Sequence, residues 1–278
     1  MTPMVEHVSR HAPAAHKLGC ERGIALIVAL LAMLVMVALG AALMLAAATE
    51  SRITRNFRND IEAFYAADAV LERAVDELRA VGDWNLLLSG AARSAFVDGE
   101  PRGTRVLTDG KTIDLAEVLN DANCRKVDGC SAAAMDAITA ERPWGANNPR
   151  WQPFAWGYLN DLVPTVTVKS RFYAIVMVAD DPSECDDNPL VDGGAMVSCP
   201  ASAKANPGEG VIAVRAEAFG PFGSHRAVEL TLAQVARGVD GTDVMPAEGA
   251  TENYGNTADY HPGIGQAGVH ILSWREVR

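Results

Sequence analysis

The sequence contains one membrane-length apolar run and no second one. Outside residues 24–48 nothing approaches the ~20 apolar residues that a spanning helix needs, which excludes a polytopic transporter. Cations are scarce: 24 Lys and Arg stand against 35 Asp and Glu, for a net charge of −11. Binding to nucleic-acid phosphates needs clustered Lys and Arg, so a general nucleic-acid partner is excluded by charge. There is no H-E-x-x-H, no G-x-S-x-G and no phosphate loop, and with them goes any recognisable catalytic constellation. The three histidines beyond residue 200 (His225, His261 and His270) are scattered without evident partners. No C-x-x-C occurs, so the cysteines do not read as a zinc site.

What is present begins with the apolar run itself. From Ile24 to Ala48 there is no charge and no Pro, and only Gly40 falls outside the hydrophobic class. At ~1.5 Å per residue such a helix spans about 37 Å, enough for a ~30 Å hydrocarbon core. Before it, Arg10, Lys17 and Arg22 outnumber Glu6 and Glu21, which favours a cytoplasmic N-terminus and an exported body. Arg52, Arg55 and Arg58 on the far side weaken that asymmetry. A secretory signal cleaved after Ala46-Ala47-Ala48 would have an unusually long apolar region. A lipoprotein signal at Leu18-Gly19-Cys20 lacks an apolar stretch before it. An uncleaved anchor, or a leader removed at Gly23, fits the spacing better.

The helical pattern does not stop at residue 48. Ile53, Phe57, Ile61, Phe64, Leu71, Val75 and Leu78 recur at mostly three- and four-residue spacing, with charged residues on the other faces. No Pro intervenes before Gly82, a plausible stop, so a single helix of about 85 Å is expected over 24–82. Its second half either packs on its own domain alone or also serves copies of itself.

These residues resemble a known family. Arg22-Gly23 directly before an apolar helix, then Ala25-Leu26, Gly40, Glu50, Asn56, Arg58 and the run Ala63-Phe64-Tyr65-Ala66-Ala67-Asp68-Ala69 with Leu71-Glu72 resemble the N-terminal domain of PilX-type minor pilins. The resemblance covers residues 20–80. It implies a prepilin leader at 1–23, cut between Gly23 and Ile24 by a prepilin peptidase, with methylation. It implies a single-pass inner-membrane helix that is later extracted into an extracellular pilus. Its implied partners are other minor and major pilins and the inner-membrane assembly platform, with Glu50, Asn56, Phe64, Tyr65 and Ala67 as the helix motif. Two positions depart from the major pilins of the family: Ile24 stands where Phe is usual, and Val28 where a Glu pairs with a neighbour's terminal amine. A buried carboxylate in lipid seeks a partner, so its absence suits a low-copy subunit at or near the tip. A type II secretion pseudopilin and a membrane-anchored periplasmic protein, even an unrecognised hydrolase, are the competing readings.

The body is expected to be non-enzymatic and α+β, a small antiparallel sheet packed against the spine helix. Residues 83–162 read as loop-rich, with short helices at Ile113–Asn120 and Ala132–Ala140 and an aromatic stretch from Trp144 through Trp151 to Trp156. The sheet falls within 163–236, with strands at Val163–Val168, Tyr173–Val178, Val211–Phe219 and Ala227–Val235, and Gly220-Pro221-Phe222-Gly223-Ser224 as a hairpin loop. Residues 237–278 read as a Gly- and Asn-rich tail ending in one short strand around Val269–Trp274, which docks back or meets a partner.

Cys20 lies in the expected leader. Cys124, Cys130, Cys185 and Cys199 make an even number on the exported side and allow three pairings. Cys124 with Cys130 and Cys185 with Cys199 close the shortest loops. Asp180, Asp181, Asp186, Asp187 and Asp192 crowd one loop beside Gly193-Gly194. Their oxygens are numerous enough for Ca²⁺, yet the EF-hand spacing is missing and a solvated acidic loop is the simpler reading.

Overall fold

A computed structural model describes residues 21–139, 149–163, 170–182, 188–193, 210–237, 243–244 and 268–277. Cys20, Cys185, Cys199, Asp186, Asp187, His261 and residues 164–168 of one expected strand lie outside the described residues. The chain forms two compact units that divide between Thr54 and Arg55.

The first unit is helical throughout its described part, residues 21–54, and belongs to α1 (Glu21–Leu78). The second unit holds the rest of α1, followed by α2 (Asn85–Leu88), β1 (Thr104–Val106), β2 (Thr112–Asp114), α3 (Leu115–Cys124) and α4 (Ala132–Thr139). Then come β3 (Gln152–Tyr158), α5 (Leu159–Leu162), β4 (Tyr173–Asp180), β5 (Val211–Phe219), β6 (His225–Arg237), β7 (Asp243–Val244) and β8 (Gly268–Val277). The class is α+β, as the sequence pattern implies.

The main sheet is antiparallel in the order β3-β4-β5-β6, with β7 and β8 both pairing along the far side of β6. Strand alternation sends neighbouring residues to opposite faces, and both faces are covered. On one side Val176 and Val178 of β4, Ile212 and Val214 of β5, and Val228, Leu230 and Leu232 of β6 meet the helix. The helix answers with Ala63, Ala66, Ala67, Val70, Leu71, Ala74 and Leu78, all buried. Four alanines in that set let the helix backbone lie close to the sheet, and burial of each larger aliphatic contributes about 1.5–3 kcal/mol. On the other side Tyr173, Ile175 and Met177 pack under Leu107, Leu115, Trp151 and Trp156. Every residue of β4 is buried, as suits a strand between two layers.

Three expectations need correction. Trp151–Trp156 is not a loop: Gln152–Tyr158 is a strand, and Trp156 is fully buried. Pro153 masks it, because Pro has no N–H for a ladder and suits an edge or a bulge. Here it has both, since β3 is the edge strand and its register slips between Pro153 and Ala155. Residues 112–114 are strand rather than helix. Asp114 is the N-cap of α3, its carboxylate accepting from the N–H of Ala116 and Glu117, and α3 runs on to Cys124. The spine helix ends at Leu78, not at Gly82. Val81 N–H and the Trp84 indole N–H both donate to the Leu78 carbonyl, and the Gln234 amide donates to the Val81 carbonyl. The last carbonyls are thus satisfied by tightened turns and by β6 rather than by a glycine cap.

Backbone outside the sheet covers the β3 edge. Ser94 N–H donates to Phe154 O and Asp98 N–H to Trp156 O. Arg105 clamps this segment through the Asp98 carboxylate and the Asp98 and Glu100 carbonyls. The Tyr173 hydroxyl donates to the same carboxylate; burial, together with Asp98, pushes that hydroxyl's pKa far up.

Candidate functional site

No residue with a described side chain in unit one is buried. Ile24, Leu26, Val28, Leu34 and Leu45 are all more than half exposed, and only Gly40 is intermediate. A helix that is apolar on every face needs lipid or other helices around it, because water gives it no favourable side. Gly23–Leu78 is long and apolar enough to cross a membrane. Near the end of the apolar run the Thr49 hydroxyl bonds back to the Leu45 carbonyl, 2.9 Å away, so it brings no unsatisfied donor.

The expected processing residues, Gly23 and Ile24, lie inside the described helix, and a Cβ added at Gly23 would meet nothing within 4 Å. Glu50 and Asn56 are exposed, while Ala67 is fully buried against the sheet. Phe64 is half-buried and packs edge-on against Tyr65 and against Trp274 of β8, with ring centroids 5.5 and 5.8 Å apart. The motif therefore divides by role. Ala67 belongs to the core, whereas Phe64 and Tyr65 belong to a surface.

That surface is apolar. Phe57, Ile61 and Tyr65, four residues apart, stand on the helix face turned from the sheet, with Phe57 and Tyr65 65% and 63% exposed. Beside them Ile271 and Trp274 of β8 are also exposed. Both pair with helix-facing residues of β6, Leu232 and Leu230, so they project from the same side of the sheet as the helix.

Comparison with known proteins bears on the N-terminal part of the chain: residues 22–72 match the family described as PilX N-terminal. Over this segment the chain is similar to a PilX-type pilin N-terminal domain. No curated protein and no solved structure matches the chain. The PilX-type domain covers the apolar helix of unit one and the first turns of the helix that packs on the sheet, Phe57, Ile61 and Tyr65 included.

Outside the PilX-type domain, the expected sites fall as follows. Cys124 and Cys130 are joined, their sulfurs 1.95 Å apart, across the end of α3. Asp180 and Asp181 are buried at the end of β4. Asp192 accepts from Gly210 N–H, and its own N–H donates to the Asn85 side chain. Among the described residues no group of three or more His, Cys, Asp or Glu is placed to hold a metal ion.

His225, expected to lack partners, has two. Its ring stacks on Phe219, and its Nε2 lies 2.8 Å from the Glu217 carboxylate. Glu217 is buried, which by itself would raise its pKa; the His225 hydrogen bond and the charges of Arg215 and His225 outweigh burial and hold it below the usual carboxylate range. Arg215, Glu229 and Arg275 continue this row across β5, β6 and β8. Alternating charges on facing strands join three strands into one ladder. A cleft of about 300 Å³ lies elsewhere, between residues 95–98 and 156–162, and carries Asp98 and Asp161.

Proposed function

We propose that the protein is a non-enzymatic minor pilin that takes part in type IV pilus assembly through helix–helix packing, at or near the filament tip. The inner membrane holds its apolar helix first, with the N-terminus cytoplasmic and the body in the periplasm, and the pilus receives it afterwards. Prepilin peptidase, the assembly platform and other pilins are the partners in this reading. The observation that carries it is the exposed stripe of Phe57, Ile61 and Tyr65 with Trp274 beside it. A plain membrane anchor needs apolar surface only as far as the bilayer reaches. An apolar stripe that continues onto the body helix, away from its own sheet, suits a helix that exchanges lipid for neighbouring helices. Val28 removes the carboxylate through which bulk subunits of this kind engage a neighbour, which supports a low-copy position.

The test is co-purification with other pilins from cells carrying the wild type or Phe57→Asp with Tyr65→Asp. Both residues are exposed, so the body folds in either case, and the double variant is expected to lose its pilin partners and piliation. Normal pili after deletion of the gene, with no pilin recovered alongside the wild type, would sink the reading. N-terminal sequencing adds an independent check: a mature start at Ile24 supports pilin processing, and an intact Met1 opposes it.

A further inference from the structure

The sheet end at which β5 passes into β6 is built unlike the rest of the surface. Between these strands the chain turns through Gly220-Pro221-Phe222-Gly223-Ser224. Phe222 sits at φ 62°, ψ 18°, a left-handed conformation that non-glycine residues adopt only when their surroundings impose it. The surroundings are visible. Asp109, at the tip of the β1–β2 hairpin, accepts the Phe222 N–H at 2.9 Å and the Lys111 N–H at 3.1 Å. Gly220 packs so tightly on Phe172 that a Cβ there would stand 2.1 Å from its ring. The turn is thus held from below and from the side, and its product is a large ring held out in solvent, 59% exposed.

One cation lies over that ring and a second stands beside the next residue, Gly223. The Arg55 guanidinium lies 5.9 Å from its centroid, and the Lys111 ammonium is 3.7 Å from where a Cβ on Gly223 would stand. In a chain of net charge −11 this pairing runs against the average. In the sequence Arg55 follows the end of the apolar run, Ala48, by only seven residues. An exposed aromatic ring with a cation over it and another close by is the composition of a membrane interface. The ring settles among headgroups and the cations meet lipid phosphates.

We propose that Phe222, Arg55 and Lys111 form a foot that seats the body on an anionic phospholipid surface while the apolar helix is in the bilayer. The inference rests on the membrane-held state of the proposed function. Removal from the membrane must break this contact.

Hydroxyl-radical footprinting of the full chain in lipid nanodiscs tests the proposal, with alkaline-resistant insertion checked first. Failure to insert counts against the membrane-held state itself and removes both readings. With the chain inserted, oxidation of Phe222 is expected to fall at least threefold in discs rich in phosphatidylglycerol relative to pure phosphatidylcholine, while Tyr65 stays equally reactive in both. Arg55→Gln with Lys111→Gln should restore Phe222 reactivity in anionic discs. Phe222→Gly keeps the left-handed turn and removes the ring, so the oxidation signal of this loop should vanish with the fold intact. Equal reactivity of Phe222 in the two lipids, or protection that survives loss of both cations, overturns the foot and leaves the loop to a protein partner.

Discussion

The two parts of α1 share one helical backbone and differ in what their side chains meet. From Ile24 to Ala48 the residues are apolar on all sides, and the chain itself buries none of them. From Ala63 to Leu78 the buried face is narrow and half of it is alanine, shaped to one sheet. The first part specifies an environment and the second specifies a surface. Environment tolerates substitution, because lipid or neighbouring helices accept any apolar side chain of similar size. A shaped contact does not, because a packed core loses contacts with each methylene removed.

The sharpest way to break that contrast is a pair of truncations. Leu71→Ala is expected to destabilise the body by about 2–5 kcal/mol in a denaturant titration in detergent. Leu34→Ala, an equal change in chemistry, should leave the same midpoint unmoved. Similar losses from both would refute the division. A smaller effect is expected at the disulfide. Cys124 and Cys130 are six residues apart, so replacing both with Ser releases a short loop and costs about 2 kcal/mol. Next is Asp98→Ala, which strands the buried Tyr173 hydroxyl and loosens the cover on β3, for about 1–2 kcal/mol. Hydrogen exchange should then rise in β3 and not in β6.

The mildest effect is one of pH. Glu217 has a folded pKa below its ordinary value, so it contributes stability above that value and loses it as pH falls through the lowered one. The melting temperature of the body should therefore decline on acidification below the ordinary carboxylate range. Glu217→Gln should flatten that decline. An unchanged acid slope in the variant would show that other carboxylates govern it.

The long helix and three sheet strands could be read from residues alone, because each has a clean period. Val211–Phe219 shows its observed ends in the sequence, since β-branched residues and the Gly-Pro turn after it leave little choice. Tyr173 and Ala227 likewise mark strands that extend a little beyond the expected limits. β3 was hidden by Pro153, whose meaning depends on an edge position that only the fold supplies. Ile113 and Asp114 of β2 read as helix because Ile113 fits a helical stripe, although Asp114 followed by Glu117 carries a capping signal. Glu50, Asn56, Phe64, Tyr65 and Ala67 read as one motif in the sequence, and only burial divides them into core and surface. The foot at Phe222 was legible as a loop and no more. Its signal in the sequence was an aromatic residue between Pro and Gly, but the neighbours that fix it, Asp109 and Arg55, are more than a hundred residues away.

Strand β8 has a consequence in time. It pairs with β6 across the residues between Arg237 and Gly268, a closure that costs about 3 kcal/mol of chain entropy before any hydrogen bond forms. The hairpins of β4, β5 and β6 face a smaller hurdle on the β5–β6 side, where the connection is five residues. The β4–β5 connection is as long as the one before β8, about thirty residues each, so the sheet should form from β5–β6 outward and receive β4 and β8 later. Trp274 arrives with that strand, and so does the second half of the apolar patch beside Phe64 and Tyr65. A body still lacking β8 would hold most of its core and only part of the apolar patch, so the step that adds this strand would also complete the face that carries Phe64 and Tyr65.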